Sequence, residues 1–164
     1  MQLAGEVTLR DGRRLPYRAI RPDDAERLRR FADGLSARSR YQRFHQPMAQ
    51  IPPSLLERLT HLDVPRECAL VCEHEEEIIA VARYAPHTER SGAEFALVVA
   101  DAWQRLGLGR ALLRKLCDAA RAAGYEAIYG TILYGNVEML ELTARLGFVP
   151  HASAGGEITV VLRL

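Results

Sequence analysis

The chain has 164 residues, the size of one domain, and can bury a core without disulfides or a structural metal. Hydrophobic residues make up 48% and charged residues 26%, which excludes a disordered or collagen-like chain. The net charge of +1 lacks the basic excess of a nucleic-acid binder, and no apolar run approaches the roughly 18 residues of a membrane span.

Residues 7–21, VTLRDGRRLPYRAIR, place an Asp11-Gly12 turn between two extended runs, which predicts a hairpin. Pro22-Asp23-Asp24 then opens a helix running to about Leu35, with Asp23 as its N-cap. Residues 36–46, SARSRYQRFHQ, predict a second short helix, and a third opens at Ser54 after two prolines. CALVCEH (68–74) and EIIAVARYA (77–85) read as strands joined by an acidic turn. AEFALVVA (93–100) is a nearly all-apolar strand, which predicts burial on both faces.

From Gly107 to Ala123, Leu108, Leu112, Leu113, Leu116, Ala120 and Ala123 form one helical stripe. Arg110, Arg114, Asp118 and Arg121 occupy the other side, and Gly124 is the stop. EAIYGTIL (126–133) is a strand, and Asn136 to Leu146 is a helix closed by Gly147. Phe148–His151 and Glu157–Leu164 finish as strands around an Ala-Gly-Gly turn. The sum is a single α/β (α+β) domain over residues 1–164, a central sheet flanked by helices.

Cys68, Cys72 and Cys117 are an odd set. MQLAGEVTLRDGRR at the N-terminus has no apolar stretch of the signal-peptide kind. Free thiols and a cytoplasmic location are the expectation. The lone CxxxC pair reads as packing. The five histidines lack H-x-x-x-H or H-E-x-x-H spacing, so no metal site is expected. Residues 1–60 hold twelve basic against seven acidic side chains, which leaves two readings open: a face for an acidic partner, or solvated helix surfaces. Tyr41 and Phe44 with Arg38, Arg40 and Arg43 are open in the same way, between lining a substrate cleft and simple helix packing.

The informative stretch is 93–110, AEFALVVADAWQRLGLGR, in which a strand runs through a turn into a glycine-led helix. The first-turn N–H groups of such a helix have no intrahelical acceptors, and the helix dipole adds positive potential. Together they predict a phosphate or diphosphate site, with Arg105 and Arg110 as added cations. A dinucleotide fingerprint would need glycine where Leu112 stands, and a P-loop would need Lys-Ser/Thr where Arg110-Ala111 stand. The spacing that fits is Q-x-x-G-x-G, at Gln104, Gly107 and Gly109.

With GNVEMLELTARLGF (135–148) following at the right interval, the sequence resembles the GCN5-related N-acetyltransferase (GNAT) superfamily. The likeness covers roughly residues 15–164 and is sharpest over 93–148. It implies the GNAT fold, with a mixed, mostly antiparallel sheet, and acetyl-CoA as the acyl donor. It maps the family's diphosphate loop onto Gln104, Arg105, Leu106 and Gly107, continuing through Leu108, Gly109 and Arg110. The strand that pairs with the pantetheine arm maps onto Leu97, Val98 and Val99. Asn136 matches the asparagine near the thioester. The usual tyrosine acid, seven residues on, is Thr143 here, and Tyr134 is the substitute in this stretch.

An amine with a pKa near 10.4 is about 99.9% protonated at pH 7 and must lose a proton before it attacks. Glu94, the one acidic residue of the 93–100 strand, is the candidate base. The phrases RPDD (21–24), GLSARSRYQRF (34–44), LLERLTHLD (55–63) and AEFALVV (93–99) further resemble the acetyltransferase domain of bacterial protein-lysine acetyltransferases. In those enzymes the glutamate of the A-E-F/I-A strand is the proposed base. The resemblance implies a primary-amine acceptor, a protein lysine first, with a polyamine or aminoglycoside as the alternative. A non-catalytic acyl-CoA sensor is the alternative outside the enzyme class. By the same analogy a homodimer is an expectation; the balanced charge and the lack of a long apolar run point to no nucleic-acid or membrane partner. Nothing in these residues matches the regulatory domain often fused to such enzymes.

Overall fold

The computed structural model describes residues 1–164. Strands β1 (Ala4–Thr8) and β2 (Arg14–Ala19) form the expected hairpin, pairing Thr8 with Arg14 across the turn at Gly12. Helices α1 (Ala25–Asp33), α2 (Ala37–Phe44) and α3 (Pro53–Thr60) follow. Then come β3 (Cys68–His74), β4 (Glu77–Pro86), β5 (Ala93–Val99), α4 (Leu108–Ala122) and β6 (Ala127–Leu133). The chain closes with α5 (Val137–Arg145), β7 (Val149–Ala154) and β8 (Glu157–Arg163). No helix is long and apolar enough to cross a membrane.

The eight strands form one sheet in the order β1-β2-β3-β4-β5-β6-β8-β7. Every pairing is antiparallel except β5 with β6, which is parallel. The apolar stripe of α4 packs on one face of the sheet, where Leu112, Leu113 and Leu116 are fully buried. Leu28 and Phe31 of α1 and Leu56 of α3 cover the other face against Val71 and Val81. Two cores of opposite facing thus hold the sheet as the middle layer.

The β5–β6 ladder is short. Only Ala93 with Ile128 and Glu94 with Tyr129 are paired. Just past that point the Phe95 ring lies across Gly130, in space that a β-carbon on β6 would need, and packs edge-on against Phe148 at 5.3 Å. The strands diverge beyond it and leave a split in the middle of the sheet.

Two expectations are corrected. Strand β5 is not buried on both faces. Ala93, Phe95 and Leu97 enter the core under α4, whereas Glu94, Ala96 and Val98 alternate onto a half-buried face. The reason is the split, which gives that face a cleft in place of a packed layer. The helix after Pro22 is also capped differently. A 3₁₀ turn, Pro22–Asp24, precedes α1, and the Asp24 carboxylate, not that of Asp23, accepts the Arg21 N–H at 2.7 Å.

Asp24 is drawn inward because Arg18 of β2 reaches it. The guanidinium donates to both carboxylate oxygens, at 2.7 and 2.8 Å, and also to Glu73 of β3 at 2.6 Å. Asp24 is 0% exposed. Burial by itself would raise its pKa, but the Arg18 contacts and the Arg21 N–H prevail and hold it at about 2. Because the folded value lies below the unfolded one, this stabilisation is complete above about pH 4 and is lost as the pH falls toward 2. It corresponds to about 2 kcal/mol. Urea titrations across that window are expected to show the loss. Asp24→Asn should remove the slope and lower neutral-pH stability by about 3 kcal/mol.

Candidate active site

After β5 the chain makes a 3₁₀ turn at Asp101–Trp103 and then bends twice through left-handed backbone, at Arg105 (φ 64°) and Gly107 (φ 83°). Glycine at 107 makes the second bend without strain. Those bends deliver the chain to the N-terminus of α4. The first bond of that helix is Ala111 N–H to Gly107 O at 3.1 Å. The six N–H groups from Arg105 to Arg110 donate to no acceptor in the chain. Six neighbouring donors at the positive end of a fifteen-residue helix form a cradle for a diphosphate.

The turn is braced from three sides. The Gln104 side-chain amide donates to Val99 O at 2.9 Å and to Ser39 Oγ at 3.2 Å, so it serves as an internal latch. The Asp101 carboxylate accepts from Ser36 N–H (3.0 Å), Ser36 Oγ (2.8 Å) and Ser39 Oγ (3.1 Å). Burial opposes its ionisation, but these donors prevail and keep its pKa below the ordinary carboxylate value. The β1–β2 hairpin supplies the third brace. Arg10 N–H donates to Leu106 O at 2.9 Å, and its guanidinium donates to Arg105 O at 3.5 Å.

A cavity of about 570 Å³ lies over the turn, lined by Val98, Val99, Gly107, Gly109 and Arg110 among others. A second, of about 340 Å³, lies farther along β5 and holds Glu94, Thr131 and Glu157. Gln42, Arg43, Leu97, Asn136 and Met139 line both, so the two are one continuous groove through the split. From Phe95 to Val99, β5 is paired only on its β4 side. Its other edge offers main-chain groups to that groove.

Glu94 looks into the second cavity, with its side chain 39% exposed. Thr131 Oγ1 donates to its Oε1 at 3.4 Å, and His87 Nε2 lies 3.8 Å from its Oε2. The cavity is bridged at its rim by His45, the residue that ends α2, whose Nδ1 is 3.5 Å from Glu157 Oε2 on β8.

The structure brings most of the sequence-selected residues to this groove. Leu97, Val98, Val99, Gln104, Arg105, Gly107, Gly109, Arg110 and Asn136 line it at the turn end. Leu106 packs on the core, and the Leu108 side chain is buried inside it, so each can offer only main chain. Arg105 is tied to Glu138 of α5 at 2.6 Å. Asn136 caps α5, its Oδ1 accepting Met139 N–H at 3.2 Å. Tyr134 lines neither cavity; it is 53% exposed in the β6–α5 turn. Thr143 is buried, and its hydroxyl is turned back on Met139 O at 2.9 Å. Burial pushes the thiols of Cys68, Cys72 and Cys117 up to about 11, 12 and 12, which removes them as nucleophiles. Arg10 was missed because no local pattern marks a hairpin arginine that docks on a loop 95 residues away.

The model of the Acetyltransferase (GNAT) family matches residues 28–148. An acetyltransferase of Pseudomonas aeruginosa is 34% identical over 161 residues, which is 96% of this chain and 87% of that one. The crystal structure of the GNAT domain of PAT from S. lividans superposes with a TM-score of 0.93 at 30% identity, covering 98% of this chain and 97% of the other. A putative acetyltransferase from Salmonella typhimurium, solved with its cofactor acetyl-CoA, shares the fold at a TM-score of 0.75 and 18% identity, covering 91% of this chain and 93% of its own.

A β-carbon at Gly107 would stand 3.2 Å from Arg10 Cγ, on backbone that disfavours side chains. Gly107→Val is expected to cost about 2 kcal/mol of stability and to weaken coenzyme A binding about tenfold. Chemical denaturation and calorimetry read the two effects. Unchanged affinity would show that the turn does not hold the phosphates.

Proposed function

The chain belongs to the acetyltransferase (GNAT) family and is an acetyl-CoA-dependent N-acetyltransferase, and we propose that its acceptor is the side-chain amine of a protein lysine, with Glu94 as the base. Residues 1–164 act as one catalytic domain in this reading. The observation that carries it is the continuity of the groove, from six unpaired N–H donors at one end to a carboxylate at the other.

The residues present fit the coenzyme. Main-chain N–H groups of Arg105 to Arg110 would hold its diphosphate, and the free edge of β5 from Leu97 to Val99 would pair with the amide-bearing arm. Bound there, acetyl-CoA supplies an activated acyl carbon. Gly109 is buried with Leu97, Val99 and Leu142 all 3.2–3.4 Å from the site of a β-carbon; the helix start approaches β5 closely because no side chain intervenes.

The acceptor would enter through the second cavity. Glu94 and Glu157 face it from β5 and β8, and two carboxylates favour the approach of an ammonium group. Glu94 then takes its proton, directly or through one water, a step typically worth ~10²–10⁴-fold in rate. Main-chain N–H groups near Val99 hold the carbonyl oxygen as charge develops on it. The second cavity, of about 340 Å³, has room for an aliphatic chain carrying a terminal amine. The close likeness to the GNAT domain of PAT, over 98% of this chain, supports a protein acceptor over a small amine.

Glu94→Gln is expected to lower turnover about 10²-fold while leaving acetyl-CoA affinity unchanged. Release of free thiol and calorimetry measure the two. Unaltered turnover between pH 6 and 9 would remove Glu94 from the role. The same thiol assay, run with lysine-containing proteins and peptides against polyamines and aminoglycosides, tests the acceptor. Turnover confined to the small amines would overturn the protein-lysine reading.

A further inference from the structure

A leaving thiolate needs either a proton or a compensating charge. No hydroxyl group of the groove is free to serve, since Thr143 is buried and bonded to its own helix, Tyr134 stands outside the groove, and Thr131, which lines the second cavity, donates to Glu94. Arg43, near the end of α2, lines both cavities together with Leu97, Asn136 and Met139, so its side chain spans the place where they meet. A thioester running from the turn toward Glu94 would have to pass it.

The Arg43 guanidinium lies over the Phe44 ring, 4.8 Å from its centre, and donates to no acceptor in the chain. The charged groups around it are few. Glu94 of β5 attracts it and Arg83 of β4 repels it. Arg83 itself has a partner, Leu59 O at 3.1 Å. Burial pushes the Arg43 pKa down to about 10, so it remains a cation at neutral pH. A guanidinium taken from water without an acceptor is unfavourable. An anionic ligand atom at the junction removes that cost.

We propose that Arg43 stabilises the coenzyme thiolate as it leaves, taking by charge the part that a hydroxyl acid would take by proton transfer. The inference rests on the coenzyme reading above. Glu94 accepts one proton from the ammonium group, and the freed nitrogen pair forms a bond to the acyl carbon. The carbon–sulfur bond breaks with both electrons passing to sulfur. The second amine proton goes to water. The thiolate stays beside Arg43 until release, when solvent protonates it. In sum, an ammonium and a thioester give an amide, a thiol and one proton.

The test is the ionisation of coenzyme A bound to the full chain, followed by the ultraviolet absorbance of its thiolate against the unliganded protein. The three protein thiols, held near pH 11 to 12, stay silent below pH 10. The bound thiol is expected to ionise at lower pH than free coenzyme A. Arg43→Gln should return it by about one pH unit, a tenfold change in the ionisation constant, and lower kcat about tenfold or more. Arg43→Lys should keep most of the shift. A thermal melt confirms that each variant is folded, and the lysine variant carries the test if the glutamine variant is not. Equal titrations in native chain and Arg43→Gln would overturn the proposal. So would a rise in acceptor KM alone, which would place Arg43 on the acceptor. Failure of the native chain to bind coenzyme A would instead overturn the coenzyme reading itself.

Discussion

The activity of this protein depends on two strands that stop pairing. Strands β5 and β6 run parallel for two residue pairs and then part. The parting is enforced by packing: the Phe95 ring occupies the place of the missing side chain at Gly130 and is held there by Phe148. A sheet that stayed closed would satisfy its own main-chain groups and leave no room for an extended ligand arm. Because the sheet opens, one edge of β5 keeps unpaired polar groups in a groove inside the domain. Such groups are costly to bury unsatisfied, which makes the groove a site that a ligand rich in amides stabilises.

The same split aligns the two ends of the chemistry. The phosphate turn is the direct continuation of β5, and Glu94 lies near the start of that strand. One rigid element therefore sets the distance from the unpaired N–H groups of the turn to the Glu94 carboxylate. The opposite wall is fixed to it by a small polar cluster in which Asp101 receives the N-terminus of α2 through Ser36 and Ser39, and Gln104 joins Ser39 to Val99. Arg43 sits about one turn beyond Ser39 along α2. A ligand that orders the turn thus orders, through four side chains, the helix that carries the guanidinium.

The glycines and the helix stripe made the turn and α4 legible in the sequence, because both depend on neighbours a few residues apart. The strands were legible for the same reason, and β3 begins with its apolar run at Cys68 and extends two residues past it to His74. What stayed hidden depends on partners far along the chain. Asp24 rather than Asp23 turns inward because Arg18, itself paired with Glu73, awaits it. The apolar composition of β5 pointed to two buried faces, since a strand that borders a cleft and one that borders a core carry the same residues. Gln104 was selected as a phosphate contact from its spacing, and its amide instead faces the protein. Arg10 was within reach of composition only as a member of an arginine-rich N-terminal third, whereas Arg43 stood open between lining a cleft and helix packing, and it lines both cavities. Their places at the groove come from the docking of the hairpin and of α2.

Replacing the family's usual tyrosine by a threonine has a physical consequence that the packing of α5 makes plain. A tyrosine hydroxyl extends well beyond its helix, whereas Thr143 ends within its own turn and bonds back to Met139 O. The Thr143 hydroxyl is therefore no proton donor to the groove. Proton transfer requires an acid whose affinity for its proton matches that of the leaving group. A guanidinium does not, because its charge acts on the departing pair throughout the neutral range. An acetyltransferase that relies on Arg43 gains a leaving-group aid that stays charged at neutral pH. The same cation attracts Glu94 of β5, which couples the two oppositely charged side chains that line the second cavity.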